Sequence, residues 1–227
     1  MKYAPSFLRK VGRAIVHRRG KLETELAYWQ KRKNIEHDLS NDHYIWFYTS
    51  HFGLPLSFYE QKRVLDIGCG PRGSLEWADN ALERVGLDPL ADSYLNMGCN
   101  QHKMQYVAAN AESIPFSDGY FDVVCSFNSL DHVDDLDQAI SEIIRVTVAG
   151  GIFLLLTDVN HEPTQCEPIW FSWDIVDKFV PYMRILDVRN HEKCTNGLYQ
   201  SIARDVSYDH SDSRSRYGIL SAKCQKI

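Results

Sequence analysis

The chain has 227 residues, of which 25 are Lys or Arg and 30 are Asp or Glu, giving a formal net charge of -5. Its apolar content of 44% and charged content of 24% are ordinary for a globular protein, which excludes wholesale disorder, collagen and coiled coil. The longest apolar run, residues 148–156, includes two glycines and is far shorter than the roughly 20 residues of a transmembrane helix. This length predicts one main domain.

Basic charge is concentrated at the N-terminus. Residues 1–21 contain seven Lys or Arg and no acid, which leaves 18 basic against 30 acidic side chains in the rest of the chain. A helical wheel separates an apolar side from a basic side: Phe7, Leu8, Val11, Ala14 and Ile15 against Arg9, Lys10, Arg13 and His17. Such a helix predicts peripheral contact with an anionic membrane surface, whereas the alternatives are a solvated tail or a helix packed on the domain.

No feature of the sequence indicates export or nucleic-acid binding. The basic stretch lacks the uninterrupted apolar region of about 7–15 residues that a secretory signal needs. The six cysteines form no Cys-x-x-Cys pair, which fits neither a zinc cluster nor a disulfide framework. We therefore expect a cytoplasmic protein, peripheral at the inner face of a membrane if the basic helix binds there, with no nucleic-acid partner.

The chain changes character near residue 62. Residues 1–60 have helical character with mixed aromatic and charged side chains and are predicted to form an N-terminal extension. Residues 61–227 alternate short apolar runs with helical stretches, which is typical of a doubly wound α/β sheet. Strands are predicted at 63–67, 84–88, 104–108, 121–127, 151–157, 184–189 and 217–224, and helices at 74–81, 90–98, 136–146 and 173–180. Polar residues 190–216 are either an ordered surface excursion or a mobile lid.

A glycine-rich loop follows the first predicted strand. Gly68, Gly70 and Gly73 form a literal G-x-G-x-x-G, which fits both dinucleotides and S-adenosylmethionine. Asp88 lies at the spacing of a ribose-binding acid and does not separate the two classes. Asp66, however, would face a pyrophosphate with like charge, whereas it suits the ammonium and sulfonium of S-adenosylmethionine. The loop therefore favours S-adenosylmethionine.

Five segments in this order resemble the class I S-adenosylmethionine-dependent methyltransferases, with matches from about residue 62 to 157. They are residues 66–70, 85–88, 110–116 with 121–124, 126–133, and 143–151. The resemblance implies a seven-stranded, mostly parallel sheet with an antiparallel last strand. It also implies that Asp88 binds the ribose hydroxyls and that Ala111 and Glu112 lie beside the adenine, although Asn110 stands where many relatives carry Asp.

The predicted cofactor site combines these segments. Its members are Asp66, Gly68, Cys69, Gly70, Asp88, Pro89, Ala111, Glu112, Asn128 and Ser129.

Two histidines are candidates for the chemistry. Transfer to a hydroxyl requires removal of its proton, which an uncharged imidazole can accept near neutral pH. His132 follows the fourth predicted strand and His161 the fifth, at the sheet edge where ligands bind. The alternative is that they line the cofactor pocket or bond their own loop. Asp131 and Asp158 could orient these rings or bind a cation, but surface capping is the favoured interpretation, and no metal site is predicted.

The acceptor is predicted from a short resemblance. Residues 158–168 are similar to bacterial methyltransferases that modify glycans and sugars, which points to a sugar hydroxyl as acceptor. The alternatives are another small molecule or a lipid as acceptor, or a non-catalytic role as a cofactor-binding partner subunit. Four aromatic residues, Trp29, Tyr44, Trp46 and Tyr48, could cover the cofactor and acceptor or simply pack the N-terminal helices. The fourth strand is not followed by the Asn/Asp-Pro-Pro-aromatic run of nucleobase amino methyltransferases.

Overall fold

A computed structural model describes residues 6–214 and 216–227 of the chain, with side chains from residue 20 onward. Contacts divide it into two compact units, Met1–Leu39 and Ser40–Ile227. In the first unit, helix α1 extends over Ser6–Glu36. The predicted apolar and basic faces of this helix fall on side chains outside the described part. Among the described residues, no helix combines the length and apolar character needed to cross a membrane.

The second unit contains one seven-stranded sheet. Its strands are β1 (Arg63–Ile67), β2 (Glu83–Leu87), β3 (Gln105–Val107), β4 (Phe121–Phe127), β5 (Thr147–Val159), β6 (Met183–Glu192) and β7 (Gly218–Lys226). The order across the sheet is β3-β2-β1-β4-β5-β7-β6, and β7 is antiparallel to both of its neighbours. The predicted seven-stranded, mostly parallel sheet is therefore confirmed. Each predicted strand is present, β1 and β4 with the predicted bounds and the other five with shifted ends.

Both faces of the sheet are covered, which explains why its central strands β1 and β4 bury side chains on both sides. Successive side chains of a strand point to opposite faces, and Val64 and Leu65 accordingly belong to two different buried clusters. The Leu65 cluster includes Ile143 of helix α4, Leu136–Val146. The Val64 cluster includes Tyr48 of the short helix α2, Tyr44–Tyr48. The predicted extension, residues 1–60, thus contains the first unit and an aromatic segment that packs in the second.

Helix α4 has the bounds that the sequence predicts. Its N-cap is Asp135, whose side chain accepts a hydrogen bond from Gln138 N at 3.1 Å. Helix α3, Ala91–Asn96, corresponds to the predicted helix at 90–98. The helix predicted at 173–180 is a 3₁₀ segment, Trp173–Lys178.

The prediction of a helix at residues 74–81 is wrong. These residues form a series of turns, in which Ala78 N donates to Leu75 O and Ala81 N to Ala78 O. Side chains take carbonyls that an α-helix would use: Trp77 Nε1 donates to Ser74 O at 2.8 Å, and Arg84 Nη1 donates to Glu76 O at 3.0 Å. The segment is therefore held by side-chain hydrogen bonds, one local and one from Arg84 of β2, which override its helical pattern.

The polar stretch 190–216 is largely an ordered excursion. It contains helix α5, Leu198–Arg204, whose Leu198 and Ile202 side chains are buried. Further along, the Arg216 guanidinium lies over the Tyr208 ring at 4.1 Å. These contacts fit the first of the two interpretations, for the residues of this stretch that are described.

Candidate active site

The parallel strands end together at one edge of the sheet. The register pairs Ile67 with both Leu87 and Ser126, and it pairs Leu87 with Val107 and Ser126 with Leu155. The loops after β1 to β5 therefore leave from the same edge, where open α/β sheets bind their ligands. Residues far apart in the sequence are brought together there.

The glycine-rich loop lies against the exit of β4. Gly68 has φ +70°, and a Cβ at this position would stand 2.2 Å from Ser129 Cβ. The Ser129 hydroxyl donates to Ile67 O at 2.7 Å and lies 2.8 Å from the Ser126 hydroxyl. Gly68 is thus required by both conformation and space, and Ser129 ties β4 to the loop.

Asp88 links the loop after β1 to the start of the loop after β2. Its buried carboxylate accepts from Gly70 N at 3.2 Å through Oδ2 and from Leu90 N at 2.8 Å through Oδ1. A carboxylate oxygen can accept more than one hydrogen bond, so a ribose hydroxyl is a chemically suitable donor to it. Asp88 therefore fits the ribose role that the resemblance implies.

Asp66 is a buried acid at the end of β1. Its Oδ2 accepts from the Tyr48 hydroxyl at 2.8 Å and also from the Ser74 hydroxyl. Burial raises the pKa of Asp66 to about 6, although these hydrogen bonds oppose the shift. A cation beside this carboxylate would offset the cost of burying its charge, so Asp66 fits an ammonium or sulfonium group.

Cys69 and Ala111 are buried, whereas Pro89 and Asn128 are exposed. Cys69 Sγ would lie 2.6 Å from a Cβ on Gly86, so this side chain packs beneath the loop. Burial raises the pKa of the Cys69 thiol well above its ordinary value, which keeps it neutral. Asn128 has φ +55° where the chain leaves β4.

Glu112 has a partner that the sequence did not suggest. Its Oε1 accepts from Asp134 N at 2.6 Å and Asp135 N at 3.1 Å. The carboxylate therefore holds the loop before α4. Its predicted place beside the adenine stays a prediction.

The segment after the glycine loop also bears on the choice of cofactor. A dinucleotide would place its pyrophosphate at the N-terminus of a helix that follows the loop. Residues 74–81 form turns, so no such helix stands there. This supports the preference for S-adenosylmethionine.

Both candidate histidines flank Asp131. Asp131 lies in the 3₁₀ turn Leu130–His132 after β4, and its side chain is 1% exposed. His161 Nε2 is 3.3 Å from Asp131 Oδ2, and His161 Nδ1 is 3.0 Å from Glu162 O. His132 Nε2 lies 4.0 Å from Asp131 Oδ1 and 3.8 Å from Glu167 Oε1. The structure thus joins the loops after β4 and β5 into one polar cluster.

His161 carries a charge in this arrangement. The Asp131 carboxylate, supported by Glu162 O, raises the pKa of His161 to about 9, while partial burial opposes the shift. Both ring nitrogens face acceptors, Nδ1 at hydrogen-bond distance from Glu162 O and Nε2 at ion-pair distance from Asp131, which favours the doubly protonated ring. The ring is therefore an imidazolium at neutral pH, unlike the uncharged imidazole that a base requires.

The preference for surface capping by Asp131 and Asp158 is wrong. Asp158 is buried, and both of its oxygens lie 2.6 Å from Lys193 Nζ. Lys193 follows β6, and nothing in its sequence neighbourhood indicated this contact. Glu167 lies within residues 158–168, and its proximity to His132 cannot be predicted from the sequence because it depends on the path of that loop.

Aromatic residues pack near Asp66. The Tyr199 ring of α5 lies 5.5 Å from Tyr44 and 4.8 Å from Phe47, and the Tyr48 ring lies 4.4 Å from Phe127. Tyr44 and Tyr48 are buried, which fits the packing alternative, whereas Trp46 is 40% exposed. Trp29 belongs to the first unit.

Comparison with known proteins agrees with this geometry. Residues 65–155 match a family described as a methyltransferase domain. This segment contains the acids after β1 and β2, the glycine loop and the exit of β4. Residues 65–155 therefore form a methyltransferase domain. S-adenosylmethionine is the cofactor of this domain.

Curated relatives of the domain differ in the atom they methylate. A malonyl-[acyl-carrier protein] O-methyltransferase of Enterobacter lignolyticus is 38% identical over 113 residues, which cover 49% of this chain and 45% of the relative. A ubiquinone/menaquinone biosynthesis C-methyltransferase of Vibrio vulnificus is 38% identical over 110 residues, covering 42% and 40%. The methyltransferase chain thus spans less than half the length of these relatives.

Solved structures share the fold. An S-adenosylmethionine-dependent methyltransferase from Mesorhizobium loti superposes with a TM-score of 0.57 at 16% identity, covering 77% of this chain and 99% of that one. At this identity, the likeness concerns the architecture of the methyltransferase domain.

Proposed function

We propose that this methyltransferase transfers the methyl group of S-adenosylmethionine to a hydroxyl oxygen of a sugar or glycan intermediate. The observation that carries the proposal is the position of the Asp131 cluster, the polar group formed by Asp131, His132, His161 and Glu167. Ser129 ties the exit of β4 to the glycine loop through its 2.7 Å bond to Ile67 O, and Asp131 follows two residues later. A polar acceptor bound at this cluster would lie beside the cofactor loop.

The chain's own residues bind and orient the two reactants. S-adenosylmethionine, when bound, supplies a reactive methyl group, so the protein's task is to place the acceptor in line with it. Asp88 and Gly70 would hold the ribose side, and Asp66 would face the ammonium. Fixed partners around all three groups favour a defined cofactor position.

His132 and His161 are the proposed catalytic residues. His132 would accept or guide the proton of the acceptor hydroxyl. His161, held by Asp131 and Glu162 O, would reach an acceptor oxygen only by exchanging one of these two contacts for it. Because the ring is charged, it would orient the acceptor, and it would have to lose a proton before it could serve as a base.

The surroundings of His161 favour a sugar over a long apolar acceptor. Asp131, Asp158, Lys193 and Glu167 make this side of the site charged and polar. The Tyr217 ring lies 6.3 Å from the His161 ring and is 44% exposed, which offers an aromatic surface for the apolar face of a sugar.

The test is a screen of nucleotide sugars, lipid-linked glycans and small phenols with S-adenosylmethionine. We expect a mass increase of one methyl group on a sugar, with the linkage assigned to oxygen by fragmentation. Methylation of carbon, or of a phenol alone, would contradict the proposed acceptor. Binding of S-adenosylhomocysteine without any methylated product would support the non-catalytic partner subunit instead.

We also propose that residues 1–21 bring the enzyme to an anionic membrane surface. The support is their seven basic residues without an acid and the helical backbone from Ser6 onward. Sedimentation with anionic vesicles, comparing the full chain with a chain lacking residues 1–21, tests this. Equal sedimentation of the two would contradict it.

A further inference from the structure

Three potential metal ligands converge beside His161. Asp131, His132 and Glu167 each offer one ligand atom, and these three atoms all lie within 4.8 Å of one another. Asp131 and His132 come from the turn after β4, whereas Glu167 comes from the loop after β5. The cluster therefore depends on the tertiary fold and does not follow from adjacent residues alone.

Asp131 is the least accessible of these ligands. Its side chain is 1% exposed, and among the described residues its Oδ1 has no hydrogen-bond partner. Leaving a charged oxygen buried without a donor is costly, so such a group points to an ion, a water or a ligand at that position. Oδ2, by contrast, lies 3.3 Å from His161 Nε2. His161 thereby fixes the carboxylate with Oδ1 on the side of His132.

The separations fit a shared ion better than direct hydrogen bonds. His132 Nε2 is 4.0 Å from Asp131 Oδ1 and 3.8 Å from Glu167 Oε1, both beyond hydrogen-bond length. Ligands placed about 2.0–2.1 Å from a tetrahedral ion lie roughly 3.3 Å apart, so each would move inward by roughly 0.5 Å. Glu167 is 35% exposed and lies in a loop, which allows this adjustment.

The donor set selects the kind of ion. One imidazole nitrogen and two carboxylate oxygens suit zinc, manganese or another divalent transition ion. Calcium takes six to eight oxygens, which this cluster does not provide. Three protein ligands also leave coordination positions open.

We propose that Asp131, His132 and Glu167 bind one divalent transition-metal ion, with His161 orienting the Asp131 carboxylate. The ion neutralises the buried carboxylate and presents open positions toward the acceptor. With the ion bound, His132 Nε2 is a ligand, so His132 would act on the acceptor hydroxyl by holding the ion and not as a free base. Binding of the ion does not depend on the proposed function. The further statement, that oxygens of the acceptor occupy the open positions, rests on the proposed function.

The experiment measures the metal alone on the full chain. After chelator treatment, Zn²⁺ and Mn²⁺ are titrated calorimetrically, and Co²⁺ is used for its absorption spectrum. We expect one ion per chain and a Co²⁺ spectrum of low coordination number that includes a nitrogen ligand. Glu167→Gln and His132→Ala should each weaken metal binding at least about tenfold. Loss of a residue that only supports a ligand already weakens metal binding about tenfold or more, and loss of the ligand itself should weaken it further.

Glu162→Gln is the matched control, because it makes the same change in the same loop on an exposed side chain outside the three ligands. It should bind metal like the wild type. No saturable binding of either ion, or equal affinity in Glu167→Gln and the wild type, overturns the proposal.

S-adenosylhomocysteine binding is measured on the same samples to separate the two proposals. Normal cofactor binding without metal binding overturns the metal site alone. Metal binding that depends on Glu167 while no acceptor is methylated supports the metal site and counts against the proposed function.

Discussion

The loops after β1 and β2 are held largely by backbone groups, whereas the loops after β4 and β5 are held by charged side chains. We call the first region, around Asp66, Gly68 and Asp88, the cofactor half, and the second, around Asp131 and His161, the acceptor half. In the cofactor half, Asp88 binds two backbone N–H groups and Gly68 touches Ser129. In the acceptor half, Asp131 and Asp158 each face a cationic partner.

This difference suggests a division of tasks. A cofactor shared by many enzymes can be recognised by a loop shape that depends on glycines and two carboxylates. An acceptor peculiar to one enzyme needs side chains that can change from one relative to the next. Changes in the cofactor half should therefore alter cofactor affinity, and changes in the acceptor half should alter transfer with little effect on that affinity.

The largest effect is expected from Gly68→Ala. Its new Cβ would stand 2.2 Å from Ser129 Cβ at a φ of +70°, so the loop must move away from β4. Because a displacement of about 1 Å at a positioned group can cost about 100-fold, we expect S-adenosylhomocysteine affinity to fall at least that much.

Gly53→Ala is the matched control for this change. Gly53 has φ +64° but open space around its Cβ position, so only backbone strain of about 1 kcal/mol is expected. Calorimetry gives the affinities and urea unfolding the stabilities. Equal behaviour of the two variants would show that contact with Ser129 is unimportant.

The acceptor half is tested by His132→Ala and His161→Ala. On the true acceptor, each should lower kcat about 100-fold, the usual range for loss of a positioned acid or base. The affinity for S-adenosylhomocysteine should stay within about twofold, since the contacts described for the two rings lie in the acceptor half. A matching loss of cofactor affinity would contradict the division of tasks, and unchanged kcat would remove both histidines from catalysis.

Asp88→Ala should weaken S-adenosylhomocysteine binding by about 1.5–3 kcal/mol, or roughly 10–150-fold, through lost hydrogen bonds to a charged acceptor. Asp92→Ala, an exposed acid at the start of α3, is the control for the change in charge. Calorimetric affinities that are the same for both variants would reject Asp88 as the ribose ligand.

A smaller effect is expected on folding stability when the pH changes, because Asp66 titrates differently in the folded and unfolded chain. Its folded-state pKa of about 6 lies above the ordinary 3.8, so the folded protein binds this proton more tightly than the unfolded chain. The contribution to stability is therefore greatest below pH 3.8 and declines until the pH reaches about 6.

Cofactor affinity should depend on pH in the opposite direction. Only the ionised carboxylate attracts the ammonium, so affinity should rise about tenfold between about pH 5 and about pH 7. Asp66→Asn keeps an acceptor for Tyr48 and Ser74 but cannot ionise, and it should lose this dependence. An equal pH dependence in the variant would assign the titration to another group.

Much of the fold follows from local sequence. The strands and α4 repeat apolar residues at the period of their secondary structure, and each has a buried face to match. The segment 74–81 has a similar helical pattern, but Arg84 and the Trp77 indole take its carbonyls. The Trp77 indole belongs to the segment, but the competition from Arg84 cannot be seen in it, because Arg84 lies on the following strand.

By itself, the sequence determined the cofactor half, since Asp66, the glycines and Asp88 lie within two short segments that end neighbouring parallel strands. Only the tertiary structure decided the acceptor half. Lys193 reaches Asp158 from beyond β6, and Glu167 approaches His132 across a loop. A third contact, between His161 and Asp131 of the loop after β4, raises the pKa of His161. All three contacts depend on long-range packing, because no spacing along the chain specifies which side chains meet at the edge of a sheet.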